Sequence, residues 1–422
     1  MTFIGGLTFS GYRSFHTKHP AVLYPLRKIN LIAGQNNSGK SNILRVVAGI
    51  YGAGELTLGA FDHPHGQSQN SFYATEIYGI DDIVSWVSST TTNVDPQDIR
   101  RFLCRPGITS KSHPDQIEIG ITGENRVNHA HLKSMAMQSG DDVLSRDLSR
   151  TVANSWGGGV GNDAYNVLKW IFSRRPESPT AHVINALRAI SEANEAEPDL
   201  NGLSIKRRLL ELQNPSTDRL GDKELFGKVQ DFVRAVMDDS SITIEIPHDL
   251  STVHITQGGH TLPIENLGTG IHEVVIIAAA ATVTQDSILC IEEPEVHLHP
   301  ILQRKLLRYL ESATSNQYFI ATHSAHMLDS EIGSIFHVDR TAGYSSVRHV
   351  GAARDKAAVC ADLGYRPSDL VQTNAVLWVE GPSDRIYLKH WIEKLAPREF
   401  VEGTHYSVMF YGGSLLSELS PP

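Results

Sequence analysis

The 422 residues allow two or three domains with a sizeable core. A hydrophobic share of 41% is ordinary for a soluble globular chain. No apolar run is long enough to span a bilayer, and the start MTFIGGLTFSGYRSF lacks the basic and apolar stretches of a signal peptide. A net charge of −10 leaves any nucleic-acid contact to local basic patches, while Cys104, Cys290 and Cys360, far apart in sequence, argue for a reducing cytoplasm and against a disulfide or cysteine-zinc framework.

The chain opens with strand-like pieces, FIGGLTFSGYRSF and KINLIAG. A Gly/Asn/Ser turn follows, and then a helix, KSNILRVVAGIYG. The polar stretch from about Gly66 to Pro96 carries little signal, and QIEIGITG alternates like a half-buried strand. From about Gly140 to Asp239 the spacing turns helical, in DAYNVLKWIFSRR, AHVINALRAISEANEAE, LSIKRRLLELQ and KELFGKVQDFVRAVMDD, and predicts a helical insertion in an α/β domain. Strand character returns at SITIEIP and TVHIT. Then come a helix (GIHEVVIIAAAATV), a buried strand (SILCIEE), a helix (PILQRKLLRYLESA) and a strand (QYFIATHS), which together imply a parallel sheet flanked by helices. GAARDKAAVCADLGYRPSD reads as a linker. NAVLWVEGPSDRIYLKHWIEKL then predicts a buried strand at Ala375–Val379, a Gly-Pro turn and a helix, with Glu380 and Asp384 at the handover. Taken alone, two acids at a helix start can simply favour its dipole.

GQNNSGKS, Gly34–Ser41, fits G-x-x-x-x-G-K-[ST] at every fixed position and lies between a strand and a helix. Gly34, Asn36, Asn37, Ser38 and Gly39, with Lys40, Ser41 and Asn42, are the candidate phosphate-binding residues. The backbone N–H groups wrap the β-phosphate, Lys40 neutralises β- and γ-oxygens, and the Ser41 hydroxyl takes a place on Mg²⁺. Glu292 and Glu293 end the buried strand Ile288–Ile291, where ligands of parallel sheets bind. Two adjacent carboxylates there call for a nearby cation, Glu292 holding Mg²⁺ and Glu293 polarising an attacking water. His323, after Thr322 at the next strand end, is placed to meet a γ-phosphate. Gly268 and Gly270, in ENLGTGIHE, open a helix whose N–H groups suit the phosphate of a partner's nucleotide. His297 and His299 are too weak a pattern for zinc and suit a loop facing a neighbouring subunit. Arg100, Arg101 and Arg105, then Arg174–Arg175, Lys206–Arg207–Arg208 and Arg304–Lys305, are the basic clusters available to DNA, although short runs of this kind are usually solvated helix faces.

Together GQNNSGKS, LGTGIHE, IEEPEVHLHP and ATHS resemble the ATP-binding-cassette (ABC) ATPases of the RecF/SMC type. The resemblance implies two cassettes sandwiching ATP, hence a homodimer or higher oligomer. It assigns Lys40 and Ser41 to phosphate and Mg²⁺, Glu292 to the Walker B acid, Glu293 to the catalytic base and His323 to the switch histidine. Two positions depart from the pattern: Glu292 stands where Asp is commoner, and LGTGIHE replaces LSGGQ. The closing segment, with HYSVMFYGGSLLSEL, resembles the opening β-α-β of a TOPRIM domain. A cassette followed by TOPRIM is the layout of OLD-family (overcoming lysogenisation defect) nucleases, which include ATP-regulated effectors of bacterial anti-phage systems. This implies DNA as a partner and Glu380 with Asp384 as Mg²⁺ or Mn²⁺ ligands. The Asp-x-Asp that such domains carry later does not follow Glu380 here, so a partial TOPRIM domain is expected.

The expected fold class is α/β, an ABC-type P-loop ATPase with a helical insertion followed by the opening β-α-β of a TOPRIM domain. Its expected parts are 1–139 and 240–350 for the ATPase, 140–239 for the insertion with possible dimer contacts, 351–372 for a linker and 373–422 for partial TOPRIM. The other reading is a sensor or scaffold ATPase that works with a separate effector protein. The helical insertion, the EEPE-x-HLHP run and the C-terminal β-α-β argue against a transporter subunit.

Overall fold

Ile29–Ala33 (β3) reads INLIA and is buried at every residue, which suits a strand covered on both faces. In the computed structural model it lies inside a six-stranded sheet. β11 (Gln317–Thr322) and β12 (Ser334–Thr341) flank it in parallel. β10 (Ile288–Glu292) and β6 (Ala181–Ile184) extend the sheet in parallel beyond β11, and β13 (Tyr344–His349) closes the far edge antiparallel to β12. The structure describes residues 3–52, 56–64, 66, 72–110, 113–122, 126–153, 161–184, 202–328, 332–341, 343–351, 353–363, 375–379, 382–396, 399–402 and 405–410.

The helix α1 (Lys40–Tyr51) buries Ile43, Leu44, Val46, Val47 and Ile50. This apolar face joins the six-stranded sheet to a second, wholly antiparallel sheet ordered β2 (Ala21–Leu23), β1 (Leu7–Ser10), β4 (Tyr73–Gly79), β5 (Gln116–Ile121). Gln317 ties the start of the chain to this core: its side chain accepts from Ile4 N at 3.0 Å and donates to Ile4 O at 3.0 Å, as a strand neighbour would. A buried ionic joint does the same for α1. Glu76 of β4 is 1% exposed, accepts from Tyr51 Oη at 2.7 Å and pairs with Arg175 Nη1 at 2.6 Å, with Tyr78 on the same carboxylate. Removing one partner of a buried pair of this kind costs about 3–5 kcal/mol.

A second core is built by α2 (Ile80–Thr90), α3 (Pro96–Leu103), α4 (His129–Ser139), α5 (Val143–Ala153) and α6 (Asn162–Phe172) around Ile117 and Ile119 of β5. Asp95 caps α3 through Gln97 N, and Pro96 occupies the first helical position, where its missing N–H costs nothing. Further along, α7 (Gly202–Gln213), α8 (Asp222–Met237) and α9 (Thr269–Val283) pack together beside a three-stranded antiparallel meander of β7 (Thr243–Glu245), β8 (His254–Gln257) and β9 (His260–Pro263). The sequence of α9 is apolar on all sides, and Val274–Ala281 are all buried, so it is a core helix. α10 (Pro300–Ala313) and the short α11 (Ala325–Leu328) complete this part. No helix among the described residues is long and apolar enough to cross a membrane.

The chain divides into two compact units, Met1–Val359 and Cys360–Pro422, and α12 spans Ala353–Asp362. Within the second unit, β14 (Ala375–Val379) pairs in parallel with β15 (Tyr406–Phe410), and α13 (Pro382–Leu395) connects them. This is the β-α-β order expected from the sequence.

Four expectations change. The 140–239 stretch is not purely helical: Ala181–Ile184 is a strand of the six-stranded sheet, because pairing with β10 outweighs the helical spacing of four short residues. The rest of that expected helix, 185–197, lies outside the described residues. The polar stretch 66–96 contains β4 and α2, and the 351–372 linker contains α12. The antiparallel sheet and the β12–β13 hairpin join the expected parallel strands.

Candidate functional site

β3 delivers the chain into the turn Gly34–Gly39, and Lys40 opens α1. Space and dihedral angle both select glycine here. Gly39 has φ 116°, and a Cβ on it would come within 2.8 Å of Ser345 Oγ. A Cβ on Gly34 would run into the Val338 carbonyl. Asn37 takes a left-handed φ of 62°, which asparagine tolerates better than most residues. The Ser38 hydroxyl is buried with no hydrogen-bond partner among the described residues.

Lys40 is 6% exposed and donates to the carbonyls of Gly34 at 2.9 Å and Gln35 at 3.2 Å. The β10 and β11 ends meet it from the neighbouring strands. Glu293 Oε1 lies 3.8 Å from its Nζ, and His323 Nε2 lies 2.7 Å from Nζ and 3.1 Å from Glu293 Oε1. One ring nitrogen cannot serve both neighbours at once: bare, it accepts from Lys40; protonated, it donates to Glu293. Burial pulls the Lys40 ammonium below the usual lysine range, against the opposing charges of Glu293, Glu295 and Glu292. For Glu293, burial works against ionisation. The hydrogen bonds of His323 and Glu295, with the His323 and Lys40 charges, prevail and hold it below the ordinary carboxylate range. Glu293 also has a left-handed φ of 45°, and its N–H donates to Ala321 O at 2.9 Å, so the turn of the backbone is pinned to β11.

Glu295 also takes part, although its spacing in the sequence does not single it out. Its Oε1 accepts from Thr322 Oγ1 at 2.6 Å, His323 N at 2.5 Å and Ser324 N at 3.1 Å. A single carboxylate therefore shapes the turn that presents His323. The only hint was a third acid in the EEPE run. Burial, then the Glu293 charge, pushes it from 4.5 to about 7. Between those values the folded protein keeps a proton that the unfolded chain has released. The associated stability is thus complete below about pH 4.5 and lost as pH rises through 7. Glu295→Gln, which is always neutral, is expected to gain up to about 3 kcal/mol relative to wild type between pH 5 and 8. Denaturant melts of both proteins across that range check this, and parallel pH profiles would reject it.

Residues 36–42, Glu293 and His323 line one cavity of about 690 Å³. Glu292, at the last position of β10, is half-buried and is not part of that lining, although its charge reaches Lys40. Gly268 and Gly270 also lie outside the lining. Gly268 precedes α9, and a Cβ on Gly270 would come within 2.9 Å of His297 O, so the α9 start packs closely on the VHLHP loop. His299 caps α10, accepting from Ile301 N at 3.4 Å. Glu380 lies outside the described residues, and Asp384 is exposed in the first turn of α13.

The basic clusters largely face acids of their own chain. Arg100 pairs with Asp81, Arg101 with Asp98 at 3.4 Å, Arg105 with Asp142 at 3.1 Å, Arg175 with Glu76, Arg208 with Glu211 at 2.9 Å and Lys305 with Asp238 at 3.0 Å. Arg174 covers the Trp170 ring at 4.1 Å, and Lys206 is buried and donates to Ser251 O at 3.2 Å.

The residues present fit a nucleoside triphosphate: a glycine-closed cradle, a buried lysine and an unsatisfied buried hydroxyl stand beside two strand-end carboxylates. Residues 162–329 match a family model described as an AAA domain, putative AbiEii toxin, of a type IV toxin–antitoxin system. No curated protein matches the chain. Among solved structures it is similar to an SMC head bound to the C-winged helix domain of ScpA, at 13% identity over 84% of this chain and 99% of that one, with a TM-score of 0.46. It is also similar to the SMC head domain from Thermotoga maritima (13% identity, 83% and 100% coverage, TM-score 0.41). A third is an Smc head with an extended coiled coil, bound to the C-terminal domain of ScpA, derived from Pyrococcus furiosus (13% identity, 86% and 100% coverage, TM-score 0.42). Within its α/β fold, residues 162–329 are thus similar to an AAA-type ATPase domain.

Proposed function

We propose that the chain binds and hydrolyses ATP as the regulatory module of an OLD-like DNA endonuclease of bacterial anti-phage defence, acting in the cytoplasm as a homodimer or larger assembly. The observation that carries the ATPase reading is the convergence of Lys40, Glu293 and His323 at the mouth of the phosphate loop. Lys40 takes the negative charge of the β- and γ-phosphates. Glu293, kept ionised, orients a water for in-line attack on the γ-phosphorus. His323 reaches the same phosphate from β11. Ser41 and Glu292 would hold Mg²⁺, which supplies further charge neutralisation when bound. Because Gly268 and Gly270 lie outside this cavity, they are assigned to the nucleotide of a second copy.

The description of the matching family as a putative toxin supports a defence context. The parallel β14–α13–β15 unit supports a TOPRIM-like opening, with Glu380 and Asp384 as proposed ligands of Mg²⁺ or Mn²⁺. The pairing of the basic clusters with internal acids favours keeping a second reading, in which a separate effector protein acts on DNA and this chain is its ATP-driven sensor.

The test is ATP turnover with Mg²⁺, together with cleavage of plasmid and linear duplex DNA in Mg²⁺ or Mn²⁺, with and without ATP, beside Glu380→Ala. Cleavage lost in the variant supports the nuclease. Turnover without cleavage favours the separate effector. A chain that binds no ATP would remove both.

A further inference from the structure

Phe61 is 97% exposed, yet it lines the same cavity as Lys40. It is also displayed on a built turn. Asp62 N donates to Gly59 O at 3.0 Å, and the Asp62 carboxylate accepts from Gly59 N at 2.9 Å and Arg13 Nε at 2.7 Å. Arg13 N donates to Asp62 O at 2.7 Å, and Arg13 Nη1 donates to Asn42 Oδ1 at 3.2 Å, so the turn is tied to the first turn of α1. Arg13 adopts a left-handed φ of 49° in making these contacts. A ring left in water at the rim of a polar cavity gains nothing from the fold itself.

A second observation points the same way. His63, two residues on, lines the cavity too, and its Nδ1 is buried with no partner among the described residues. A ring surface and an unsatisfied polar atom side by side suit a flat, apolar-faced group with donors and acceptors on its edge. The cavity, about 690 Å³, is of the size that holds a whole cofactor-sized ligand, well beyond a triphosphate chain alone.

We infer that Phe61 and His63 form a nucleobase subsite, with Phe61 stacking on the base of the nucleoside triphosphate whose phosphates occupy the Gly34–Ser41 loop. This rests on the nucleotide-binding reading above and adds to it a residue pair that separates a nucleotide from a bare polyphosphate. Arg13 is a positioning residue, holding the Phe61 turn and the start of α1 in register.

The experiment is calorimetric titration of the full chain with ATP and, separately, with inorganic tripolyphosphate, for wild type, Phe61→Ala, Phe61→Trp and Lys40→Ala. Phe61→Ala is expected to weaken ATP about tenfold, in the range of base–aromatic stacking, with tripolyphosphate affinity unchanged and ATP affinity restored in Phe61→Trp. Lys40→Ala should weaken both probes. Equal losses for both probes in Phe61→Ala, or none for ATP, would overturn the subsite while leaving the phosphate loop in place. Unchanged ATP affinity with loss of an ATP-dependent dimer would instead assign Phe61 to contact with a second copy. Wild-type protein that binds neither probe would overturn the nucleotide reading itself.

Discussion

Lys40→Ala is expected to lower ATP affinity by about two to three orders of magnitude, the range seen when a buried partner of a charge pair is truncated. The reason is local. Lys40 is the buried cation of the cavity, and carbonyls of the loop itself, Gly34 and Gln35, hold its ammonium in place. Alanine removes the charge and leaves Glu293 facing the incoming phosphates, so attraction is exchanged for repulsion. Equilibrium titration with ATP, alongside a thermal melt to confirm folding, checks this. Retained affinity in a folded variant would show that the phosphates bind elsewhere.

Glu293→Gln separates binding from turnover. The amide keeps the size of the side chain and can still accept a hydrogen bond through its oxygen, but it cannot hold the negative charge that the proposed mechanism needs to orient a water. ATP affinity is expected to stay within a few-fold of wild type, while turnover falls by about 10²–10⁴, the usual contribution of a general base. Single-turnover measurement of phosphate release decides the matter. Undiminished release would move the role to another group, and Glu295, which contacts the same turn, would be examined next. The two variants therefore make opposite demands on one pair of residues 3.8 Å apart.

Much of this site could be read without coordinates because its chemistry is local in sequence. The phosphate loop is eight consecutive residues in which glycines are set by backbone angle and close approach, and INLIA announces a doubly covered strand by composition alone. Glu293 is legible because it follows a buried run and lines the cavity, whereas its neighbour Glu292 stays outside that lining. Glu295 is not, since its role depends on three donors at and just after the end of β11, Thr322, His323 and Ser324, which no spacing within EEPE reveals. β4 was hidden for a related reason. YATEIYG carries a glutamate in its middle, and only Tyr51 and Arg175, distant in sequence, make that residue a core group. Ala181–Ile184 was hidden by its brevity: four residues fit a helical period as well as a strand, and pairing with β10 decides. Phe61 belongs to a stretch with no periodic signal, and its placement comes from Arg13 through Asp62.

The position of β3 inside the large sheet also bears on how the chain is made. Both of its strand partners, β11 and β12, come from the last third of the first unit, and the earlier-made strands β1 and β2 belong to the other sheet. A ribosome adding about 5–20 residues per second takes roughly 15–60 s to reach Gln317 after Ala33. Throughout that interval INLIA is an unpaired apolar segment outside its final sheet, and the phosphate loop behind it lacks Val338 and Ser345, the groups that later close on its glycines. Closure of the phosphate loop is thus a late event in synthesis.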